Sequence, residues 1–101
     1  MRPVARWPVD KIATGHLCSA TATIAGAFQT AVFAGGEPVS CPGDLIAPHT
    51  IKAGKVCIPH AATVNAGSLF VKAFGRPVAR IGDSADAGTI ISGTPLVKCG
   101  G

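Results

Sequence analysis

The sequence predicts an all-β domain built from three similar hairpin units around one axis. The segment 2–6 (Arg-Pro-Val-Ala-Arg) recurs unchanged at 76–80, and a weaker copy, Glu-Pro-Val-Ser-Cys, occupies 37–41. Internal repeats of this kind indicate repeated structural units. The 13 glycines and 8 prolines are spread along the chain and leave no long window for a helix. Many of the remaining residues are Val, Ile and Thr, which favour short strands.

The spacing of the repeated residues favours a closed ring of three units. A threonine followed by a β-branched residue also recurs, at Thr23, Thr63 and Thr89. From this threonine to the next repeated proline is 15 residues in the first unit (23 to 38) and 14 in the second (63 to 77). If the two chain ends are joined in thought, the third unit (89 to 3) again spans 15 residues. We therefore expect the first and last strands to pair with each other.

The segments between the strands differ in length and are therefore interpreted as loops. They span 13, 19 and 6 residues after Asp10, Asp44 and Asp83, respectively. Each of these aspartates follows a strand at a turn, where a carboxylate accepts backbone N–H groups, so we assign them to turn capping and not to catalysis. Gly35-Gly36 and Phe74-Gly75 mark tight hairpin turns, which need residues tolerant of positive φ.

Length and composition narrow the class of protein. With 101 residues the chain is expected to form one domain, 1–101. The net charge of +4 comes from scattered residues and aromatics make up only 5%, which argues against nucleic-acid binding. No signal peptide and no membrane-spanning stretch is evident, so synthesis in the bacterial cytoplasm is expected. No phosphate-binding loop or nucleophile elbow occurs, and we expect neither enzymatic activity nor a small-molecule substrate.

Three histidines suggest a metal site. His16, His49 and His60 all lie in the loops of uneven length, and rotation of the units around one axis would bring these loops together at one end. Three imidazoles suit Zn²⁺, which takes four N or S ligands in structural sites. Cys57, three residues before His60, is the first candidate for a fourth ligand, and Cys18, two residues after His16, competes with it.

The four cysteines are expected to serve as thiols or metal ligands in a reducing compartment, and a disulfide stays possible if the protein works outside the cell. Cys41 falls in a repeat strand, and Cys99 aligns with Ala73 close to a hairpin turn, at the opposite end of the unit from the histidines. We therefore assign Cys41 and Cys99 to packing.

The repeats resemble the signature of the PAAR-repeat family. The resemblance is carried by 2–6, by 76–80 with Gly-Asp at 82–83, and by Gly-His-x-Cys at 15–18, and it covers nearly the whole chain. It implies a small cone of three β-hairpin repeats, with one zinc ion near the vertex held by three histidines and one cysteine. It also implies a tip for contractile injection machines, which caps a homotrimeric β-helical spike and pierces the bacterial envelope.

The sequence departs from the family where the sulfur ligand is expected. Many members carry a cysteine shortly after the third Gly-Asp, but here the segment 84–88 reads Ser-Ala-Asp-Ala-Gly. The three histidines carry over, and the fourth ligand stays open. Cys57 is the first choice, Cys18 the second, and a water molecule or Asp86 the third.

The base of such a cone would dock singly on the trimeric spike. The hairpin turns are the expected contacts, with these residues at the interface: Phe33, Gly35, Gly36, Phe74 and Gly75. The expected location is the tip of a phage tail baseplate, within the virion. The alternatives are a type VI secretion tip or effector adaptor, and a free-standing metal-binding module.

Overall fold

A computed structural model describes residues 2–16, 18–73 and 75–100, and these residues form an all-β structure. They contain no helix, and thus no helix that is long and apolar enough to cross a membrane. The thirteen short strands have these bounds: β1 Arg2–Val4, β2 Lys11–Ala13, β3 Thr21–Gly26, β4 Phe33–Ala34, β5 Glu37–Pro38, β6 Leu45–Ile46, β7 His49–Ala53, β8 Val56–His60, β9 Lys72–Ala73, β10 Arg76–Pro77, β11 Ser84–Ala85, β12 Gly88–Ile90 and β13 Thr94–Cys99.

The strands form one five-stranded sheet and four two-stranded sheets. The larger sheet has the order β11-β12-β2-β3-β6, and all its pairs are antiparallel. The two-stranded sheets pair β1 with β13, β4 with β5, β7 with β8, and β9 with β10. The pairing of Arg2 with Cys99 confirms the expectation that the first and last strands meet.

Two of the small sheets are hairpins at the turns that were predicted from Gly35-Gly36 and Phe74-Gly75. Gly35 and Gly36 connect β4 to β5 with φ values of 58° and 85°, a conformation that residues with a Cβ adopt at a cost. Gly75, with φ of 78°, lies between β9 and β10. Phe74, the other expected turn residue, lies outside the described residues.

A closed cycle of three backbone hydrogen bonds lies at the centre of the molecule. Ala5 donates to Ala79 (2.9 Å), Ala79 donates to Ser40 (2.8 Å), and Ser40 donates to Ala5 (2.9 Å). The three residues occupy the same position in the three copies of the repeat, and all are fully buried. Their small side chains fit this place because three segments of the chain approach one another there.

The core lies on both sides of this cycle. One cluster contains the β-branched residues that recur with the repeat, including Ile24, Val64 and Ile90. The other cluster packs the repeat valines against the hairpin strands and includes the buried free thiols of Cys41 and Cys99. These two cysteines therefore contribute to packing, as the sequence predicted.

The repeat aspartates accept backbone N–H groups, which confirms their interpretation as turn-capping residues. Each carboxylate lies 2.8–3.0 Å from the nitrogen of a residue three or four positions earlier. The pairs are Arg6–Asp10, Cys41–Asp44 and Arg80–Asp83. In the first and third pairs the arginine side chain also binds the same carboxylate, so charge is neutralised where it is buried.

Candidate metal centre

Four side chains from distant parts of the sequence meet at one site. His16 lies in the loop between β2 and β3, His49 begins β7, His60 ends β8, and Asp86 lies in the turn between β11 and β12. Their potential ligand atoms all lie within 4.8 Å of one another. Three nitrogen donors and one oxygen donor can together hold a metal ion.

The carboxylate of Asp86 lies at the centre of the cluster. Its oxygens are 3.0 Å from Nε2 of His16, 2.6 Å from Nε2 of His49 and 3.1 Å from Nε2 of His60. The ring centroids of the histidines are 4.9–5.8 Å apart. A tetrahedral zinc ion with bonds of about 2.0–2.1 Å places its ligand atoms roughly 3.3 Å from one another. The Asp86–histidine distances are near this separation, and no two of the potential ligand atoms are more than 4.8 Å apart.

The tautomer of His49 is determined by its second ring nitrogen. Nδ1 of His49 lies 3.0 Å from the carbonyl oxygen of Ala47, which can only accept a hydrogen bond, so Nδ1 carries a proton. In the neutral ring the lone pair of Nε2 then points at a carboxylate of Asp86 that also only accepts. A metal ion between these two acceptors would bind both of them. A histidine held through Nδ1–H by a backbone carbonyl is typical of metal ligands.

The charge of Asp86 is stabilised by the same histidines. Burial by itself raises the pKa of Asp86, but the hydrogen bonds with His60, His16 and His49 outweigh burial and hold the pKa below its ordinary value of 3.8. The carboxyl group is therefore ionised at neutral pH. A buried anion faced by three imidazoles is a favourable environment for a cation.

The turn that carries Asp86 is fixed by its backbone. Asp86 has a φ of 53°, a conformation that aspartate and asparagine tolerate better than most residues. Its N–H donates to the carbonyl of Thr63 at 3.0 Å, and its own carbonyl accepts from Nδ2 of Asn65 at 3.1 Å. Asn65 also donates to Oγ of Ser84, so one side chain spans the turn. These bonds hold the carboxylate towards the histidines.

A disulfide bond between Cys18 and Cys57 links two of the ligand-bearing segments. The Cα atoms are 6.0 Å apart, and the bond joins the loop that carries His16 to strand β8, which ends at His60. The side chain of Ser19 adds hydrogen bonds to Thr50 across the same junction. The crosslink limits how far the histidines can separate.

The disulfide corrects the sequence-based choice of the fourth ligand. Cys57 and its competitor Cys18 bind each other, and a disulfide sulfur has no thiolate to offer a metal. The place that we expected Cys57 to fill is taken by Asp86, which was only a third choice. One signal in the sequence pointed to it. Asp86 is the only residue with a metal-binding side chain in the short segment after Asp83.

The site residues that were predicted to bind a partner lie in separate hairpins. Phe33 is 55% exposed on β4, next to the turn at Gly35 and Gly36, and Gly75 lies in the β9–β10 turn. Phe74 lies outside the described residues. Sequence reasoning missed other exposed apolar residues, which include Leu69, Phe70 and Leu96.

Comparison with known proteins found no protein-family model that matches this chain and no match among curated proteins. The fold and the site by themselves define a small all-β protein with a candidate metal centre of three histidines and one aspartate.

Proposed function

We propose that the protein is the structural tip of a contractile injection machine, with one zinc ion at its vertex. The proposal rests on the observation that the candidate metal ligands come from the loops of all three repeat units. His16 comes from the loop of the first repeat unit, His49 and His60 from that of the second, and Asp86 from that of the third. A metal at this site would tie all three units together at one end, where a tapering domain has few residues left to bury.

The central hydrogen-bond cycle supports three-fold pseudo-symmetry, which a single chain needs to cap a three-fold spike. Ala5, Ser40 and Ala79 donate to one another in rotation, each from the same position of its repeat. Three similar faces around one axis would let one copy of the chain bind a homotrimer with little loss of symmetry.

Apolar side chains near the hairpins support a docking surface at the base. Gln29, Ser68 and Thr94 are buried polar residues, and each accepts a backbone N–H from the residue two positions later. Beside each of them the chain exposes apolar residues, which include Phe33, Leu69, Phe70 and Leu96. We expect these side chains to form one contiguous patch, which is characteristic of an interaction surface.

The ligand set supports zinc as the metal. Imidazole nitrogen and carboxylate oxygen are both zinc ligands, and four-coordinate sites are usual where zinc has a structural role. The metal would hold the vertex loops rigid. The tip would pierce the target cell envelope. The mechanical force would come from the machine behind it, as in a phage tail baseplate or a type VI secretion system. No catalytic step is part of this proposal.

The proposal is tested by co-expression with a trimeric β-helical spike protein of the same injection machine. Native mass spectrometry is expected to show one copy of this chain on three spike chains. The double substitution Phe33→Asp and Phe70→Asp is expected to abolish the complex, because two carboxylates would then be buried at an apolar interface. Val56→Asp is the control, since Val56 is similarly exposed on a hairpin next to the metal centre. A chain that never binds a trimeric spike would overturn the proposal.

A further inference from the structure

The β7–β8 hairpin exposes an aliphatic stripe that continues beyond the metal centre. The cross-strand pairs His49–His60 and Ile51–Ile58, together with Val56, occupy alternating positions of the hairpin and therefore share one face. Val56 is 59% exposed and Ile58 is 40% exposed. At about 3.3 Å per residue, the stripe runs roughly 13 Å from the histidine pair to the hairpin turn.

The opposite face of the hairpin is attached to the loop between β2 and β3. Thr50 bonds to Ser19 on this face, and Cys57 forms the disulfide with Cys18. Within the described residues, β7 and β8 pair with no other strand. A two-stranded hairpin is marginally stable by itself in water, so these bonds and the histidine cluster hold it at its base. The aliphatic face is left open.

The charge of the hairpin has one sign. The segment 49–60 contains two lysines and no acidic residue, and no Asp or Glu occurs between Asp44 and Asp83. Lys55 is exposed in the turn, directly before Val56. The carboxylate of Asp86 contacts His49 and His60 at the base of this face, and it is enclosed by the three histidines. A cationic turn beside aliphatic side chains complements an anionic lipid surface.

The size and composition of the stripe favour lipid over a protein partner. A stable protein interface buries about 800 Å² on each partner, which is far more than three aliphatic side chains can offer. The hairpin also contains no Trp, Tyr or Arg, the residues that contribute most to protein–protein affinity. A lipid interface needs no specific anchors, because its headgroup region accommodates small apolar groups next to basic ones.

We propose that the tip of the β7–β8 hairpin binds anionic bilayers, with Val56 and Ile58 entering the boundary between headgroups and acyl chains and Lys55 facing lipid phosphates. The inference does not rest on the proposed function, since it depends only on the surface of the hairpin. With so few apolar groups, binding is reversible and weakens as salt screens the lysines.

The test is sedimentation of the purified chain with vesicles of phosphatidylglycerol and phosphatidylethanolamine. The wild-type chain is expected to sediment with these vesicles at low salt and to stay in solution with vesicles of pure phosphatidylcholine. The double substitution Val56→Ser and Ile58→Ser is expected to raise the lipid concentration for half-binding by roughly tenfold or more. Lys55→Glu is expected to raise it by a similar factor, because the charge at the tip reverses.

A control substitution tests whether vesicle binding depends on the β7–β8 hairpin or on other exposed apolar residues. The double substitution Leu69→Ser and Phe70→Ser removes side chains that are even more exposed but lie near the carboxyl end of the chain, where Ser68 contacts Gly100. It is expected to leave vesicle binding unchanged. A tryptophan introduced by Val56→Trp is expected to shift the emission to shorter wavelength with anionic vesicles, relative to the wild-type chain, whose single tryptophan is Trp7.

Three results would overturn the proposal: a wild-type chain that does not bind anionic vesicles, a Lys55→Glu variant that binds as well as the wild type, or an unshifted Val56→Trp emission. Co-purification with a trimeric spike is independent of each of these results, so the two proposals fail separately.

Discussion

Gly88 lies directly against the carbonyl oxygen of Ala13. A Cβ atom on Gly88 would be 1.9 Å from that oxygen and 2.8 Å from its carbon, so no side chain fits. The contact joins β12 to β2 within the five-stranded sheet. It also places the turn that carries Asp86 beside the loop that carries His16. Asp86 lies two residues before Gly88, and His16 lies three residues after Ala13.

Substitution of Gly88 tests this close approach. Gly88→Ala is expected to lower the free energy of unfolding by about 3 kcal/mol, because the backbone of β12 must move away from β2. The same movement separates Asp86 from His16, so metal content is expected to fall as well. Urea unfolding and elemental analysis measure the two effects. Thr89→Ala, an exposed change in the same strand, is the control and should shift stability by less than about 0.5 kcal/mol. Equal stability of both variants would contradict the steric account.

Asp86 is expected to be required for metal binding. Asp86→Asn keeps a residue that tolerates the positive φ of the turn but removes the negative charge and the stronger oxygen donor. Affinity for zinc, measured by competition with a chelator, is expected to fall by at least roughly 100-fold.

A graded comparison distinguishes a ligand from a residue that positions it. Asn65→Ala keeps the carboxylate group of Asp86 but removes two hydrogen bonds that position its turn, one to the Asp86 carbonyl and one to Ser84. It is expected to weaken zinc binding by only about tenfold. An Asp86→Asn variant that binds zinc as tightly as the wild type would mean that the three histidines suffice.

The disulfide is expected to stabilise the chain. The double substitution Cys18→Ser and Cys57→Ser opens a crosslink between residues 39 positions apart, and a loss of about 2–4 kcal/mol is expected in urea unfolding. Wild-type protein treated with a phosphine reductant should unfold like the double variant. The double variant itself should not respond to the reductant. A wild-type chain whose unfolding midpoint is unaffected by reduction would show that the bond is absent in solution.

Alkaline pH is expected to destabilise the fold through Cys41. Burial raises the pKa of the Cys41 thiol from 9.0 to about 11, with the charge of Asp44 as a further cause. The folded state therefore keeps a proton that the unfolded state loses. The contribution of the protonated Cys41 thiol to the free energy of unfolding is fully present below pH 9.0 and is lost as the pH rises through about 11.

Unfolding in urea between pH 9 and 11 measures this effect. The chain contains no tyrosine, so one common source of alkaline titration is absent. The wild-type midpoint is expected to decline over this range, and the decline should be smaller in Cys41→Ala, whatever its stability at neutral pH. Identical slopes for the two proteins would contradict the role of the thiol.

Local patterns in the sequence predicted much of the fold. The repeats at 2–6, 37–41 and 76–80 predicted strands that meet, and their Ala and Ser residues form the central hydrogen-bond cycle. The glycines of Gly35-Gly36 and Phe74-Gly75 predicted hairpins because tolerance of positive φ is a property of single residues. The ring closure predicted the pairing of β1 with β13, since equal spacing leaves the chain ends as the only missing contact.

The composition of the site was harder to predict. All three histidines lie in the loops of uneven length, which indicated that their imidazoles would meet. The structure brings the three histidines to one carboxylate. The choice between Cys57 and Asp86 depended on distances across 26 to 70 residues of chain, which spacing cannot supply. A cysteine three residues from a histidine resembles a metal ligand, but on a strand these two side chains point to opposite faces.

The sequence by itself determined the all-β class of the fold, the hairpin turns and the burial of Cys41 and Cys99, because these follow from residue preferences and from repetition. Only the tertiary structure decided the fourth member of the metal centre, the pairing of Cys18 with Cys57, and the exposure of the hairpin stripe at Val56 and Ile58. These features depend on which side chains from distant segments reach the same place. That proximity is a property of the packed chain as a whole.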